Sequence, residues 1–168
     1  MLILKWAVIA VVVLVLAALA AGQTGLLRGK APGDLGVRNG RLKLPSPTEN
    51  SVSSQAALYP DHPQRRYAEI APLPLRGDAR ETLDRIERVV RGMPGAEVVR
   101  RDADYLYAQF TTRWMRYVDD VEFWADPPNG VIQVRSASRI GRGDLGTNRA
   151  RLEAIRAGMG AGDSGRPR

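Results

Sequence analysis

Asp119, Asp120 and Glu122 are the residues best suited to chemistry, since carboxylates this close together can hold a divalent cation or act as a general acid and base. Their spacing divides them. On a strand, successive side chains point to opposite faces, so Asp120 and Glu122 share one face while Asp119 takes the other. Arg135 and Arg139 lie on a following strand, and neutralisation of the pair by these arginines competes with a metal or acid-base role.

A second constellation is Gly141-Arg142-Gly143-Asp144-Leu145-Gly146, which has the form of a G-x-G-x-x-G phosphate fingerprint. That fingerprint belongs to a parallel strand-helix-strand unit with an acidic residue about 20 positions further on, and only a Gly-rich tail follows here. The string therefore reads as a tight strand-to-helix turn. Backbone amides at a helix start still favour an anion, and Arg142 and Arg149, with Asp144 and Asn148 in the same turn, are candidates for binding a phosphate or carboxylate. Tyr105 and Tyr107, with Trp124, would make an aromatic shelf for a sugar, lipid or peptide, or else pack beneath a covering segment. Ser53, Ser54 and His62 contain a nucleophile and a base by type, but spacing shows neither a positioned histidine nor an oxyanion hole. No catalytic residue is assigned.

The elements that position these groups follow from periodicity. Asp78 to Met93 reads as a helix: Asp78 and Glu81 have capping spacing, and Ala79, Leu83, Ile86, Val90 and Met93 share a face. Pro94-Gly95 ends it. Alternation then takes over. Leu106, Ala108 and Phe110 face one way and Tyr105, Tyr107 and Gln109 the other; Val121 and Phe123 oppose Asp120 and Glu122; Ile132 and Val134 carry a last strand after the turn Asp126-Pro127-Pro128-Asn129-Gly130. Matching the apolar faces by setting Trp124 opposite Val131 brings Asp120 to Arg135. A final helix over about Leu145 to Met159 aligns Leu145, Leu152, Ile155 and Met159. The expected fold is α+β: an antiparallel sheet of about four strands with two helices on one face, preceded by an extended wrapping segment and an N-terminal membrane helix. The expected divisions are an anchor or signal peptide at 1–22, a linker at 23–39, the α+β domain at 40–159 and a disordered tail at 160–168.

The chain has 168 residues, room for one domain with extensions. The apolar run from Trp6 to Gly22 is at the lower limit of a bilayer span, and an uncleaved anchor competes with a signal peptide cleaved near Ala18-Leu19-Ala20. Arg28, Lys30, Arg38 and Arg41 follow the run and only Lys5 precedes it, which by positive-inside counting would keep the domain in the cytoplasm. The very short N-terminal tail and export-like start favour the opposite, a bacterial inner-membrane protein with its soluble part on the periplasmic or exoplasmic side. Net charge is +7, but 25 basic residues include only the lysines Lys5, Lys30 and Lys43, a skew that points to base composition more than to a nucleic-acid surface. An anionic membrane surface or cell-wall component is the better bulk partner. With no cysteine and one histidine, His62, neither a disulfide nor a thiolate or imidazole zinc site is expected, and no cofactor is implied.

Arg135-Ser136-Ala137-Ser138-Arg139-Ile140-Gly141, followed by Asp144-Leu145-Gly146 and Asn148-Arg149, together with Asp119-Asp120-Val121-Glu122-Phe123, resembles the bacterial and plastid domain-of-unknown-function family 1499. The resemblance spans about Gly40 to Met159. Many members carry a C-P-x-S-P-N-C-V-S-S type of string; here the stretch runs Leu44-Pro45-Ser46-Pro47-Thr48-Glu49-Asn50-Ser51-Val52-Ser53-Ser54, without either cysteine. The resemblance implies no activity, substrate or catalytic residue. The expected function is a membrane-tethered, non-enzymatic envelope domain binding an anionic or amphipathic ligand, with a hydrolase using Asp120 or Glu122, or a protein-assembly module, as alternatives.

Overall fold

A computed structural model describes residues 1–161 of the chain. Its first element, α1 (Leu2–Gln23), has 22 residues and contains an 18-residue stretch of mean hydropathy 2.9, long and apolar enough by length and composition to cross a membrane. At about 1.5 Å per residue it spans roughly 33 Å, close to a hydrocarbon core. Its last turn rests on the rest of the protein. Gly22 is buried against the backbone of Trp114 and Met115, so closely that an added Cβ would lie 2.9 Å from Met115 Cα. Gln23 Nε2 donates to the Trp114 carbonyl at 2.9 Å.

The remainder is α+β. Six strands form one antiparallel sheet: β1 (Ser51–Ser53), β2 (Leu73–Pro74), β3 (Ala96–Arg101), β4 (Tyr105–Thr111), β5 (Val118–Asp126) and β6 (Val131–Ser138). Their order is β1-β6-β5-β4-β3, with β2 also paired to β6. The sheet has six strands where about four are expected; β4, β5 and β6 lie where the alternation places them. β1 and β2, three and two residues long, are too short to alternate; they pair with β6, Val52 opposite Ser136 and Leu73 opposite Ile132.

Three further helices accompany the sheet: the single turn α2 (Arg65–Ala68), α3 (Ala79–Arg91) and α4 (Thr147–Ala161). At the start of α3 the Asp78 side chain accepts the Glu81 amide at 2.7 Å, as capping requires, and Thr82, Leu83, Ile86 and Val90 are buried. The chain leaves through Gly95, whose φ of +73° and whose approach to the Thr111 carbonyl, 2.2 Å from a would-be Cβ, admit only glycine. Leu152, Ile155 and Met159 of α4 join Leu83, Ile86 and Val90 over the apolar sheet face made by Leu106, Phe110, Val121, Phe123, Ile132 and Val134. Each fully buried aliphatic or aromatic side chain there is worth roughly 1.5–3 kcal/mol. α3 and α4 thus cover one face, as predicted.

Two expectations about this framework are corrected. Leu145 does not belong to the α4 stripe: it is 103% exposed with φ +52°, because the chain turns through Leu145 and Gly146 (φ +80°) before the helix begins at Thr147. The hairpin register is also two residues tighter. Asp126 pairs with Val131 and Trp124 with Gln133, because Pro127–Asn129 wind into a 3-10 turn closed by left-handed Gly130. A two-residue shift keeps every side chain on its predicted face but changes the partners: Glu122, not Asp120, stands opposite Arg135.

Candidate functional site

The sheet face away from α3 and α4 gathers Tyr105, Tyr107, Asp120, Glu122, Arg135 and Arg139, six of the predicted site residues. Glu122 is fully buried. Its Oε2 accepts from Arg135 Nη1 at 3.2 Å, and its Oε1 accepts from the Tyr105 hydroxyl at 2.7 Å and from the Gly36 amide at 2.8 Å. Asp120 takes a two-pronged contact from Arg139, Nε to Oδ2 at 2.9 Å and Nη2 to Oδ1 at 2.8 Å, and a further bond from the Tyr107 hydroxyl at 2.5 Å. Gln109 Nε2 donates to that same hydroxyl at 2.7 Å.

The electrostatics match this geometry. Burial, then the neighbouring Glu122 charge, pushes the Tyr105 phenol far above its ordinary value, and burial with the Asp120 contact raises Tyr107. Both phenols are held as neutral donors. The Asp120 contact raises Arg139, fixing it as a cation. Carboxylates whose oxygens are already filled by arginine and tyrosine act here as internal struts.

A covering layer seals this face, and it begins within the expected linker. Gly36, at φ +106°, brings its amide to Glu122; further along, Leu42 N donates to Gln55 Oε1 at 2.8 Å and Gln55 Nε2 to the Gly40 carbonyl at 3.0 Å. Gly29 packs so closely on Arg139 and Ile140 that a Cβ would meet Arg139 Cβ at 2.7 Å. Tyr105 is therefore buried beside the Gly36 contact, while Tyr107 is half-buried.

The second predicted group lies where α4 starts. Asp144 accepts from the Gly146 amide at 2.9 Å, the Asn148 amide at 3.2 Å and Asn148 Nδ2 at 2.6 Å, and from the Tyr67 hydroxyl. Burial opposes its charge, but these donors outweigh burial and hold its carboxyl below the usual range; burial and Asp144 together push Tyr67 up to about 12. Asn148 is fully buried and also bonds the Asn50 carbonyl at 3.1 Å, Ser138 Oγ at 3.1 Å and Ser136 Oγ at 2.5 Å. Arg149 Nη2 donates to the Tyr67 carbonyl at 2.6 Å. The amides of Asp144, Gly146, Thr147 and Asn148 are thus satisfied from within the protein. Arg142 stands apart, exposed and without an ion pair among the described residues.

Other candidates disperse. Ser54 Oγ donates to Gln133 Oε1 at 2.7 Å, Ser53 Oγ accepts from the Gln55 amide at 3.2 Å, and His62 Nδ1 accepts from the Gln64 amide at 3.1 Å. None of these contacts pairs a serine with His62. Asp119, on the opposite face from Asp120, meets Arg151 Nη2 at 2.5 Å, and Arg151 also stacks 4.6 Å from the Phe110 ring centre. That partner was readable in principle: a carboxylate on the core-facing side of a strand requires a cation, and Arg151 lies on the helix that covers that side. Gly36 and Tyr67 carried no comparable signal, because they reach their partners from an irregular segment and from the single-turn α2, both too short or irregular to show a period.

An open cleft of about 330 Å³ remains beside the helix start. It lies between the Thr112–Val118 loop and the Ile140–Thr147 turn, with Tyr117, Val118, Ile140 and Leu145 supplying its apolar wall. A larger hollow, about 410 Å³, opens over the covering layer between Asp34, Arg38, Arg41 and Tyr59; its lysine, Lys43, is tied to Asp34 at 2.6 Å.

Comparison with known proteins bears on the same residues. Residues 41–159 match the family described as protein of unknown function DUF1499, which takes in both ion-paired strands and the turn before α4, and the chain belongs to that family. No curated protein and no solved structure matches it.

Proposed function

We propose that this member of the DUF1499 family is a non-enzymatic envelope domain, held at a bacterial inner membrane by α1 with its soluble part on the exoplasmic side, that binds an anionic or amphipathic ligand. The observation carrying this reading is the contact between the end of α1 and the loop around Trp114. Gln23 and Gly22 fasten that loop to the helix end, the level at which a bilayer surface would lie. Trp114 is 61% exposed, and the Arg113 guanidinium sits 4.9 Å from its ring centre. Tryptophan and arginine together at a helix end suit the interfacial layer of a membrane, where an indole is half-solvated and a guanidinium meets phosphate.

The distribution of charge supports an anionic partner. Asp119, Asp120 and Glu122 are consumed by arginines inside the protein, whereas Arg113, Arg116 and Arg142 have no ion pair among the described residues. Buried and paired, Asp120 and Glu122 are poorly placed to serve as the acid and base of a hydrolase.

The test is a thermal shift on the full chain in neutral detergent, titrated with short-chain phosphatidylglycerol and, separately, with short-chain phosphatidylcholine. The anionic lipid should raise Tm in a saturable way and the zwitterionic lipid should not. Equal shifts, or none, would sink the reading.

A further inference from the structure

Resting on that reading, we infer that the cleft between the Thr112–Val118 loop and the Ile140–Thr147 turn is a binding site for a single anionic membrane lipid. The same stretch that forms one wall of the cleft is bonded to the end of α1 through Gln23 and Trp114, and Gly29, just beyond α1, packs against Ile140 of the other wall, so both walls are tied to the end of the one described helix able to cross a bilayer. A lipid can enter it without leaving the membrane completely.

Its lining is mainly apolar with two internally paired aspartates, and an exposed cation stands in the turn that forms one wall. Tyr117, Val118, Ile140 and Leu145 offer apolar surface, and Arg142, between the lining residues Gly141 and Gly143, offers an exposed cation. The cleft's own acids do not oppose an anion strongly. Asp119 is neutralised by Arg151, and both oxygens of Asp144 accept from the α4 amides, Asn148 and Tyr67. At about 330 Å³ the space is at the small end of ligand pockets, room for a headgroup and the first methylenes of a chain. The remaining chain length stays in the bilayer.

Leu145 is the most telling residue. It is completely exposed and holds φ +52°, a conformation that costs a branched side chain about 1 kcal/mol relative to glycine. The Leu145 side chain itself, fully exposed, gains no packing that repays that cost. A leucine standing at the rim of an apolar cleft beside the membrane end has a use if an acyl chain passes over it.

The experiment uses the full chain in nanodiscs of phosphatidylcholine doped with a photoactivatable phosphatidylglycerol whose reactive group sits near the head end of the acyl chain. Adducts should map to peptides covering 112–118 and 140–147, and their yield should fall at least fivefold in Leu145→Gly and in Arg142→Gln. Both variants keep the core intact, and Leu145→Gly should melt no lower than the parent, which separates a lost site from a lost fold. Adducts confined to α1, or yields unchanged in both variants, overturn the cleft. If the phosphatidylglycerol thermal shift persists while the adducts lie elsewhere, this site fails and the anionic-ligand function stands. If no anionic preference exists in the thermal shift, both fail.

Discussion

Arg151 reaches from α4 across the edge of the core to Asp119 on β5, its Nη2 2.5 Å from Oδ2, while Nη1 bonds Ser136 Oγ at 3.0 Å and Asn148 Oδ1 at 2.9 Å. One guanidinium thus couples the covering helix to the two central strands.

Because both partners are nearly buried, Arg151→Ala should destabilise the protein by about 3–5 kcal/mol, mainly by stranding the Asp119 charge. The double variant Asp119→Ala with Arg151→Ala should cost much less than the sum of the singles. Urea unfolding of the three variants checks this, and additive losses would show that the pair is not coupled.

Gly36 donates its amide to Glu122 from a conformation proline cannot adopt. Gly36→Pro should therefore cost about 2–4 kcal/mol, through a lost bond to a buried charge and a forced backbone change. The measurable signature is faster hydrogen exchange across 29–44 before the strands exchange. Unaltered exchange there would mean the covering layer does not depend on this bond.

Stability should also fall on the alkaline side. Tyr67 titrates near 12 in the folded protein against about 10 when unfolded, so its contribution is complete below pH 10 and is lost as pH rises from 10 through 12. Asp144 has the opposite sign: its folded value is lowered, so its contribution is present above the ordinary aspartate range and lost as pH falls through the folded value. Tyr67→Phe should reduce stability at pH 7 by about 1–2 kcal/mol and flatten the decline between pH 10 and 12. Chemical unfolding of both proteins at pH 7, 10 and 11.5 is the check, and parallel declines would contradict it.

Much of this structure is written in side-chain alternation. The faces of β4, β5 and β6, the α3 cap at Asp78 and the separation of Asp119 from Asp120 all follow from periods of 2 and 3.6 and from capping chemistry. What alternation cannot supply is register, since shifting a strand by two residues leaves the faces unchanged. Arg135 was therefore legible as the partner of a carboxylate, and Glu122 in place of Asp120 was not. Leu145 was misplaced for a related reason: a leucine ahead of a helix fits the apolar stripe until the turn's left-handed residues fix where the helix begins. Gly36 and Tyr67 act through segments without a period, where partners are set by the folded chain as a whole.

The attachment of α1 has a consequence for reach. Between the helix and the sheet the chain is fastened at Gln23 to Trp114, at Gly29 to Arg139 and Ile140, and at Gly36 to Glu122, which leaves no slack leash between them. A domain on a long flexible tether samples a hemisphere above its anchor and meets a membrane-bound ligand only occasionally. If α1 is the membrane anchor proposed above, a domain stitched down in this way keeps a fixed height and orientation, and the local concentration of whatever lies at that level is set by geometry.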